Sequence, residues 1–547
     1  NALSKVKDEK GMKRIEKFLT KGPCPACHGT RFNERALSTK LMGKNIAEVC
    51  AMTLSELVVW VQKIPGQMPS EIEEMAQSIV NEFLRTAERL TNLGLSYLSL
   101  DRAGSTLSNG ELQRVQISRA VRSDTTGVLY VLDEPSIGLH PYNVDGLMKI
   151  VRELVDRKNS VVLVDHDPRI LMDADQLIEI GPGAGKEGGR IVTQGTPLEA
   201  EKNPHSLIGP YLSGKESLKV RSRATEKDMF ENGSIRIKTK PFYTVQALDV
   251  SIPKGRMIAV TGVSGSGKTS LAIECLVPAL QAVIQGTKLP EHVDAIEAKG
   301  IQSVKVIDSK PIGANVRSTV ATYDGVFDDL RKLFARTADA KAKGLTAGDF
   351  SYNTGKLRCP VCDGTGIITM DVQFLPDVDT ICPSCGGSRY GKDAYDILWK
   401  SKEKDSVSVS LPGLLKLTVE EAAGILHEET KIAKQLKILQ DLGVCYLMLG
   451  EATPALSGGE AQRLKLAYEM ETPQQGSVFV FDEPTIGLHP QDVKKLVLIF
   501  DHLIQLGATV IVIEHDLELV TNCDYIIDMG PWGGTEGGRV VVEGTPE

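Results

Sequence analysis

Two stretches of the chain carry one pattern at one fixed spacing, and this limits the architecture more than any other feature. Residues 94–196 match residues 443–545 with no net insertion: Ser108 and Ser457, Asp133 and Asp482, and His166 and His515 all stand 349 positions apart. Each copy runs Leu-Ser-x-Gly-Glu-x-Gln-Arg, then an apolar run ending in Asp-Glu-Pro, then Ile-Gly-Leu-His-Pro, then a second apolar run ending in His-Asp. Each closes on a glycine-rich stretch, beginning at Gly181 or Gly530, followed by a short β-branched run. Apolar runs alternating with helical patterns predict an α/β fold with a largely parallel sheet, built twice. The polar segment 214–233 reads as the linker between the copies.

A phosphate-binding loop occurs once. Gly262-Val263-Ser264-Gly265-Ser266-Gly267-Lys268-Thr269 follows the apolar run Met257 to Val260, the strand-loop-helix context that this pattern requires. Projected back by the repeat spacing, the matching loop of the first copy falls before residue 1, so it is expected upstream. The glycines allow backbone N–H groups to turn inward onto phosphate oxygens where a Cβ would obstruct them. Lys268 is then placed to meet the β and γ phosphates and Thr269 to offer a hydroxyl to Mg²⁺, while the following helix presents its positive end to the anion. Asp482 and Asp133 end apolar strands, where a carboxylate at the sheet edge suits Mg²⁺ held through water.

This order of motifs resembles the catalytic half of ABC ATPases. The resemblance implies that Glu483 and Glu134 orient the attacking water and that His515 and His166 contact the γ phosphate. It also implies composite ATP sites, each phosphate loop closed by the signature of the other half. One complete site would join Gly262, Ser264, Gly265, Ser266, Gly267, Lys268, Thr269, Asp482, Glu483 and His515 to Ser108, Asn109 and Gly110. Asp133, Glu134 and His166, with Ser457, Gly458 and Gly459, would form half of a second. Hydrolysis there is phosphoryl transfer by positioning and charge neutralisation.

Six of the ten cysteines lie in Cys-x-x-Cys pairs, which in a chain of this character read as metal sites rather than disulfides. Cys359, Cys362, Cys382 and Cys385 have the spacing of a structural Cys₄ zinc site, with glycines after each pair (Gly364, Gly366, Gly386, Gly387) allowing the turns that bring thiolates together. Cys24-Pro-Ala-Cys27-His-Gly-Thr-Arg31 resembles Cys382-Pro-Ser-Cys385-Gly-Gly-Ser-Arg389 and is half of a second zinc module. Either its remaining ligands lie upstream or the pair binds no metal. Cys50, Cys275, Cys445 and Cys523 read as ordinary core or surface residues.

A formal charge of −8 gives no global sign of nucleic-acid binding, so any DNA contact must come from local basic patches. Arg331, Lys332, Arg336, Lys341, Lys343, Lys356 and Arg358 outnumber the two acids among them, Asp339 and Asp349. Such a patch suits phosphate contacts that read no sequence; its alternative is a solvated face. No apolar run approaches the length of a membrane helix and no secretory leader is visible, so a soluble, cytoplasmic protein without a membrane partner is expected.

The chain is further similar to the UvrA family, the damage-recognition subunits of the excinuclease system. The phosphate loop, Lys310-Pro311-Ile312-Gly313, Thr319 to Tyr323 with Gly325-Val326-Phe327, Phe350-Ser351-Tyr352-Asn353, the Cys₄ module and the signature Leu456 to Arg463 follow in that family's order. The resemblance implies an ATPase of nucleotide excision repair that dimerises, scans double-stranded DNA for distortion and loads UvrB, with incision left to other subunits. ATP, Mg²⁺ and Zn²⁺ are the implied cofactors. Two positions depart from the pattern: Asn109 stands where the signature usually has Gly, and Ser309 where the family typically carries a Gln that senses the metal and γ phosphate.

The implied layout is 1–92, remainder of a first signature and zinc domain; 93–213, catalytic half of the first ATPase core; 214–233, linker; 234–298, phosphate-loop part of the second core; 299–442, second signature, zinc and DNA-binding insertion; and 443–547, catalytic half of the second core. Two competing functions are a UvrA-like protein protecting its host from DNA-binding drugs and the motor subunit of an ABC transporter. The Cys₄ module counts against the transporter.

Overall fold

The runs Ser477–Asp482 and Thr509–Ile513 are apolar at nearly every position, the pattern of strands covered on both faces. In the computed structural model, which describes residues 22, 24–107, 109–121, 125–136, 139, 141–183, 188–214, 220–313, 315–370, 378–401, 407–470 and 474–546, these two strands lie at the heart of a six-stranded sheet. Its order is Ser303–Ile307, Ser477–Asp482, Thr509–Ile513, Met257–Gly262, Tyr525–Gly530 and Arg539–Gly544, with the first five parallel and the last antiparallel. Phe479, Phe481, Val510 and Val512 point into one core, shared with Val493, Leu496, Val497, Phe500 and Leu503 of the helix Pro490–Gln505. Those helix residues recur every three or four positions and so share one stripe. The alternate strand residues Val478, Val480, Ile511 and Ile513 point into a second core, roofed by Leu271, Ala272, Leu276 and Leu280 after the phosphate loop. A three-stranded antiparallel sheet, Val293–Glu297, Ser234–Thr239 and Asp249–Pro253, packs on that second side.

The first copy repeats part of this frame in register. Leu129–Asp133 runs parallel to Ser160–Val164, pairing Leu129 with Ser160 as Val478 pairs with Thr509. Leu177–Gly181 pairs antiparallel with Arg190–Gly195, and its irregularity between Glu179 and Ile180 recurs between Asp528 and Met529. The faces differ. Val131, Val162 and Ile180 are 64%, 47% and 69% exposed, whereas their counterparts Val480, Ile511 and Met529 are at most 1% exposed. In the second copy a strand, Met257–Gly262, runs between Thr509–Ile513 and Tyr525–Gly530, and no strand holds that place in the first copy among the described residues.

Two units divide the chain, residues 1–123 and 124–547. The first contains the helices Leu54–Val61, Ser70–Asn92 and Asn109–Ala120, with Leu57, Val61 and Val80 at the centre of a small core. In the second, residues 220–233 lie along the core of the six-stranded sheet. The Arg221 guanidinium donates to Asp501 Oδ1 and to the carbonyl of Asn522, each at 2.9 Å, and the Ala224 N–H donates to Asp524 Oδ1 at 2.8 Å.

Candidate nucleotide site and zinc centre

The phosphate loop leaves the sheet at the carboxyl end of a central strand, where ligands of open α/β sheets bind. Gly262, Gly265 and Gly267 take φ values of 131°, 78° and 97°, backbone that side-chain-bearing residues rarely adopt. A Cβ on Gly262 would fall 2.0 Å from the Met529 carbonyl oxygen. The Lys268 ammonium lies over the loop, donating to the carbonyls of Gly262 at 2.9 Å and Val263 at 3.0 Å. From Ser270 to Leu276 the following helix is wound as a π-helix and only from Val277 as an α-helix, a local widening often found at functional sites.

Behind the loop runs the glycine-rich segment noted in the sequence. Gly534 donates its N–H to the Gly265 carbonyl and Gly538 to that of Ser266, both at 3.1 Å. A Cβ on Gly538 would meet the Thr244 oxygen at 1.6 Å, so this close backing of the loop depends on glycine.

The expected acidic residues gather on neighbouring strand ends. Asp482 ends its strand, and burial first, then the neighbouring Asp308, pushes its carboxyl up while Lys268 pulls it down. Glu483 follows in left-handed backbone, φ 48°, held by its N–H to the Ile513 carbonyl at 2.9 Å. His515 Nε2 then lies 3.8 Å from Glu483 Oε1. The first copy reproduces each step. Glu134 has φ 45°, its N–H bonds the Val164 carbonyl at 2.7 Å, and His166 Nε2 lies 3.8 Å from Glu134 Oε1. Asp133 ends the corresponding strand. Burial raises the Glu134 carboxyl above its ordinary value, against the pull of His166.

The second signature opens the helix Gly458–Met470, with the Ser457 N–H on Glu460 Oε2 at 2.7 Å and the Glu460 N–H on Ser457 Oγ at 3.3 Å. Gly458 abuts Ser309, and Gly459 lies against the carbonyl of Ile486. Asn109 and Gly110 open the helix Asn109–Ala120 of the first unit, and Ser108 lies outside the described residues. Within the second unit, the Glu134 carboxylate lies against Gly487, bringing the Asp-Glu strand end of one copy to the turn of the other.

Asp308, which Ser303–Ile307 delivers beside Asp482, and the pair Asp165 and Glu514 were not among the residues expected from the sequence. Both of the latter were legible as acids immediately before the repeated histidines.

The four predicted thiols converge. The sulfurs of Cys359, Cys362, Cys382 and Cys385 all lie within 4.8 Å of one another, at 4.0 Å for Cys359 with Cys382 and 3.7 Å for Cys362 with Cys385. A tetrahedron of Zn–S bonds of about 2.3 Å places its sulfurs about 3.8 Å apart, so the set fits zinc. Gly364, at φ 80°, allows the turn; a Cβ there would lie 1.7 Å from the Tyr352 oxygen. The Cys24 to Arg31 segment adopts the same turn as Cys382 to Arg389. His28 donates to the Cys24 carbonyl as Gly386 does to Cys382, and Arg31 and Arg389 take φ 67° and 71°. Among the described residues no third ligand joins Cys24 and Cys27.

Of the seven basic residues in the candidate DNA patch, five face carboxylates: Arg331 with Asp328, Lys332 with Asp329, Lys343 with Asp396, Lys356 with Asp349 and Arg358 with Asp363. Arg336 and Lys341 are exposed and form no ion pair among the described residues.

No protein-family model matches the chain. It is 41% identical over 545 residues to the UvrABC system protein A of Thermus thermophilus, covering 99% of this chain and 56% of that relative. The chain belongs to the UvrA family. UvrABC system protein A of Aquifex aeolicus is likewise 41% identical over 543 residues, covering 98% of this chain and 58% of its own length. The crystal structure of UvrA2 from Deinococcus radiodurans superposes with a TM-score of 0.90 at 36% identity, covering 100% of this chain and 66% of that one. The chain therefore spans little more than half the length of the curated UvrA relatives it matches. The superposition bears out the tandem ABC-type α/β architecture. No helix among the described residues is long and apolar enough to cross a membrane.

Proposed function

We propose that this chain carries the ATP-hydrolysing and DNA-contacting parts of a damage-recognition protein of nucleotide excision repair, active in the cytoplasm as a homodimer that hands DNA to UvrB. The observation that carries the reading is the insertion of a four-thiol module between a complete phosphate loop and its signature, a combination that a transporter motor does not require. ATP would lie on Gly262 to Thr269, with Lys268 turning from the loop carbonyls onto the β and γ phosphates. Mg²⁺, held by Thr269 and through water by Asp482, would supply charge neutralisation of the phosphates. Glu483 orients the attacking water and His515 steadies the γ phosphate. Asp133, Glu134 and His166, with Ser457, Gly458 and Gly459, serve a second site; the exposed faces of Val131, Val162 and Ile180 suit a further strand of the kind that carries a phosphate loop.

In this reading zinc occupies Cys359, Cys362, Cys382 and Cys385 and stiffens the insertion, and Cys24 and Cys27 supply half of a second zinc module. Arg336 and Lys341 contact DNA phosphates directly, while Arg331, Lys332, Lys343, Lys356 and Arg358 exchange their carboxylate partners for phosphates. The reading is tested by measuring affinity of the full-length protein for duplexes with and without a bulky lesion, with no nucleotide, ADP or ATP. Preference for the lesion that shifts with nucleotide supports it. Absence of DNA binding in every nucleotide state refutes it.

A further inference from the structure

Glu514 is only 2% exposed, yet it joins three functional segments. Its N–H donates to the Val260 carbonyl, at 3.2 Å, on the strand that enters the phosphate loop. Its Oε1 accepts the Thr485 N–H at 3.1 Å and the Thr485 hydroxyl, two residues beyond Glu483. Its Oε2 accepts the N–H groups of His515, at 2.6 Å, and Asp516, at 3.2 Å. A buried carboxyl with four donors converging on it is costly to place and costly to disconnect, so such a group specifies the geometry around it.

The first copy builds the same tie from different residues. Asp165 replaces Glu514 and Ser136 replaces Thr485: the Ser136 hydroxyl and N–H donate to Asp165 at 2.8 and 3.3 Å, and the His166 and Asp167 N–H groups donate to Asp165 Oδ1 at 2.8 and 2.9 Å. Both ends of the tie change in size between the copies but keep their carboxylate and hydroxyl, and the distance from histidine Nε2 to glutamate Oε1 stays at 3.8 Å. What is kept is the link from the turn after the glutamate to the histidine loop.

We propose that Glu514, and Asp165 in the first copy, are positioning residues that lock the turn after Glu483 or Glu134 to the histidine loop, so that glutamate and histidine act on the γ phosphate as one unit. This rests on the ATPase reading. The lock touches neither nucleotide nor reacting atoms, so its loss should lower turnover more than nucleotide affinity.

The test uses full-length protein and compares wild type with Glu514→Met, Glu514→Asp and Thr485→Val, the last removing one donor without disturbing the buried carboxyl. Turnover is expected to fall roughly ten- to hundredfold in Glu514→Met through misplacement of the catalytic pair. Affinity for ATP should stay within about twofold of wild type. Glu514→Asp, which installs the carboxyl used by the first copy, should recover most of the loss. Wild-type turnover in Glu514→Met overturns the proposal, as does a joint loss of turnover and affinity that Glu514→Asp does not repair. A wild-type protein that binds ATP without hydrolysing it refutes the ATPase reading instead. Amide exchange then decides the lock: faster exchange at Thr485 and His515 in Thr485→Val supports it, and unchanged exchange overturns it.

Discussion

His515 Nε2 stands 3.8 Å from Glu483 Oε1, and His166 stands at the same distance from Glu134 in a copy of the motif 349 residues earlier. In each case the glutamate occupies left-handed backbone and hangs by its N–H from the carbonyl two residues before the histidine. A left-handed conformation costs a non-glycine residue on the order of 1 kcal/mol or more, and a strained residue repeated at two candidate catalytic positions points to a constrained function.

If Glu483 orients water, Glu483→Gln should keep ATP affinity while lowering turnover by roughly a hundredfold, the scale of a lost general base. His515→Ala should lower turnover with a smaller change in affinity. Single-turnover hydrolysis together with equilibrium nucleotide binding separates the two effects. An unchanged rate in Glu483→Gln would remove it from the reaction.

Zinc analysis of the purified protein should find about one metal equivalent per chain that depends on Cys359, Cys362, Cys382 and Cys385 and is lost in Cys359→Ser, apart from any metal held with Cys24 and Cys27. Gly364→Ala should also weaken the module, by roughly 1–3 kcal/mol, because the added carbon meets the Tyr352 oxygen. Thermal unfolding with and without chelator reads both effects.

Burial, and then the neighbouring Asp516, raises the Glu514 carboxyl from an ordinary 4.5 to about 8. Across that window the folded chain keeps a proton that the unfolded chain has released. The contribution to stability is therefore complete below the ordinary value and is lost as pH rises toward about 8. Glu514→Gln removes the titrating group, so the difference in melting temperature between variant and wild type should shift in the variant's favour as pH rises. A difference that is flat with pH would contradict the assignment.

Arg336→Ala and Lys341→Ala should weaken duplex binding without regard to sequence, each reducing the salt slope by about 1. Lys332→Ala should do less, since Lys332 already faces Asp329 at 3.3 Å. Binding isotherms across a salt series measure these slopes.

The repeat in the sequence made much of this site legible. Strand ends, acids and histidines recur at one spacing because each copy must deliver the same groups to the same sheet edge, and the structure retains even the strand irregularity after Glu179 and Asp528. Relations between distant segments were not legible. Nothing in the order of residues says that Ser303–Ile307 brings Asp308 beside Asp482, or that Glu514 faces Thr485, because parallel strand order is set by packing. The basic segment shows the same limit: its excess charge was visible, but four of the acids that pair with it, Asp328, Asp329, Asp363 and Asp396, lie outside residues 331–358. The Cys₄ centre was legible because two short pairs and their glycines fix its geometry locally.

The most direct test of the account is ATP turnover by the full-length protein, with undamaged and lesion-bearing duplex, in wild type and Lys268→Ala. Turnover is predicted to change when the lesion is present and to be lost with Lys268. Turnover that ignores DNA, or that survives Lys268→Ala, would contradict it.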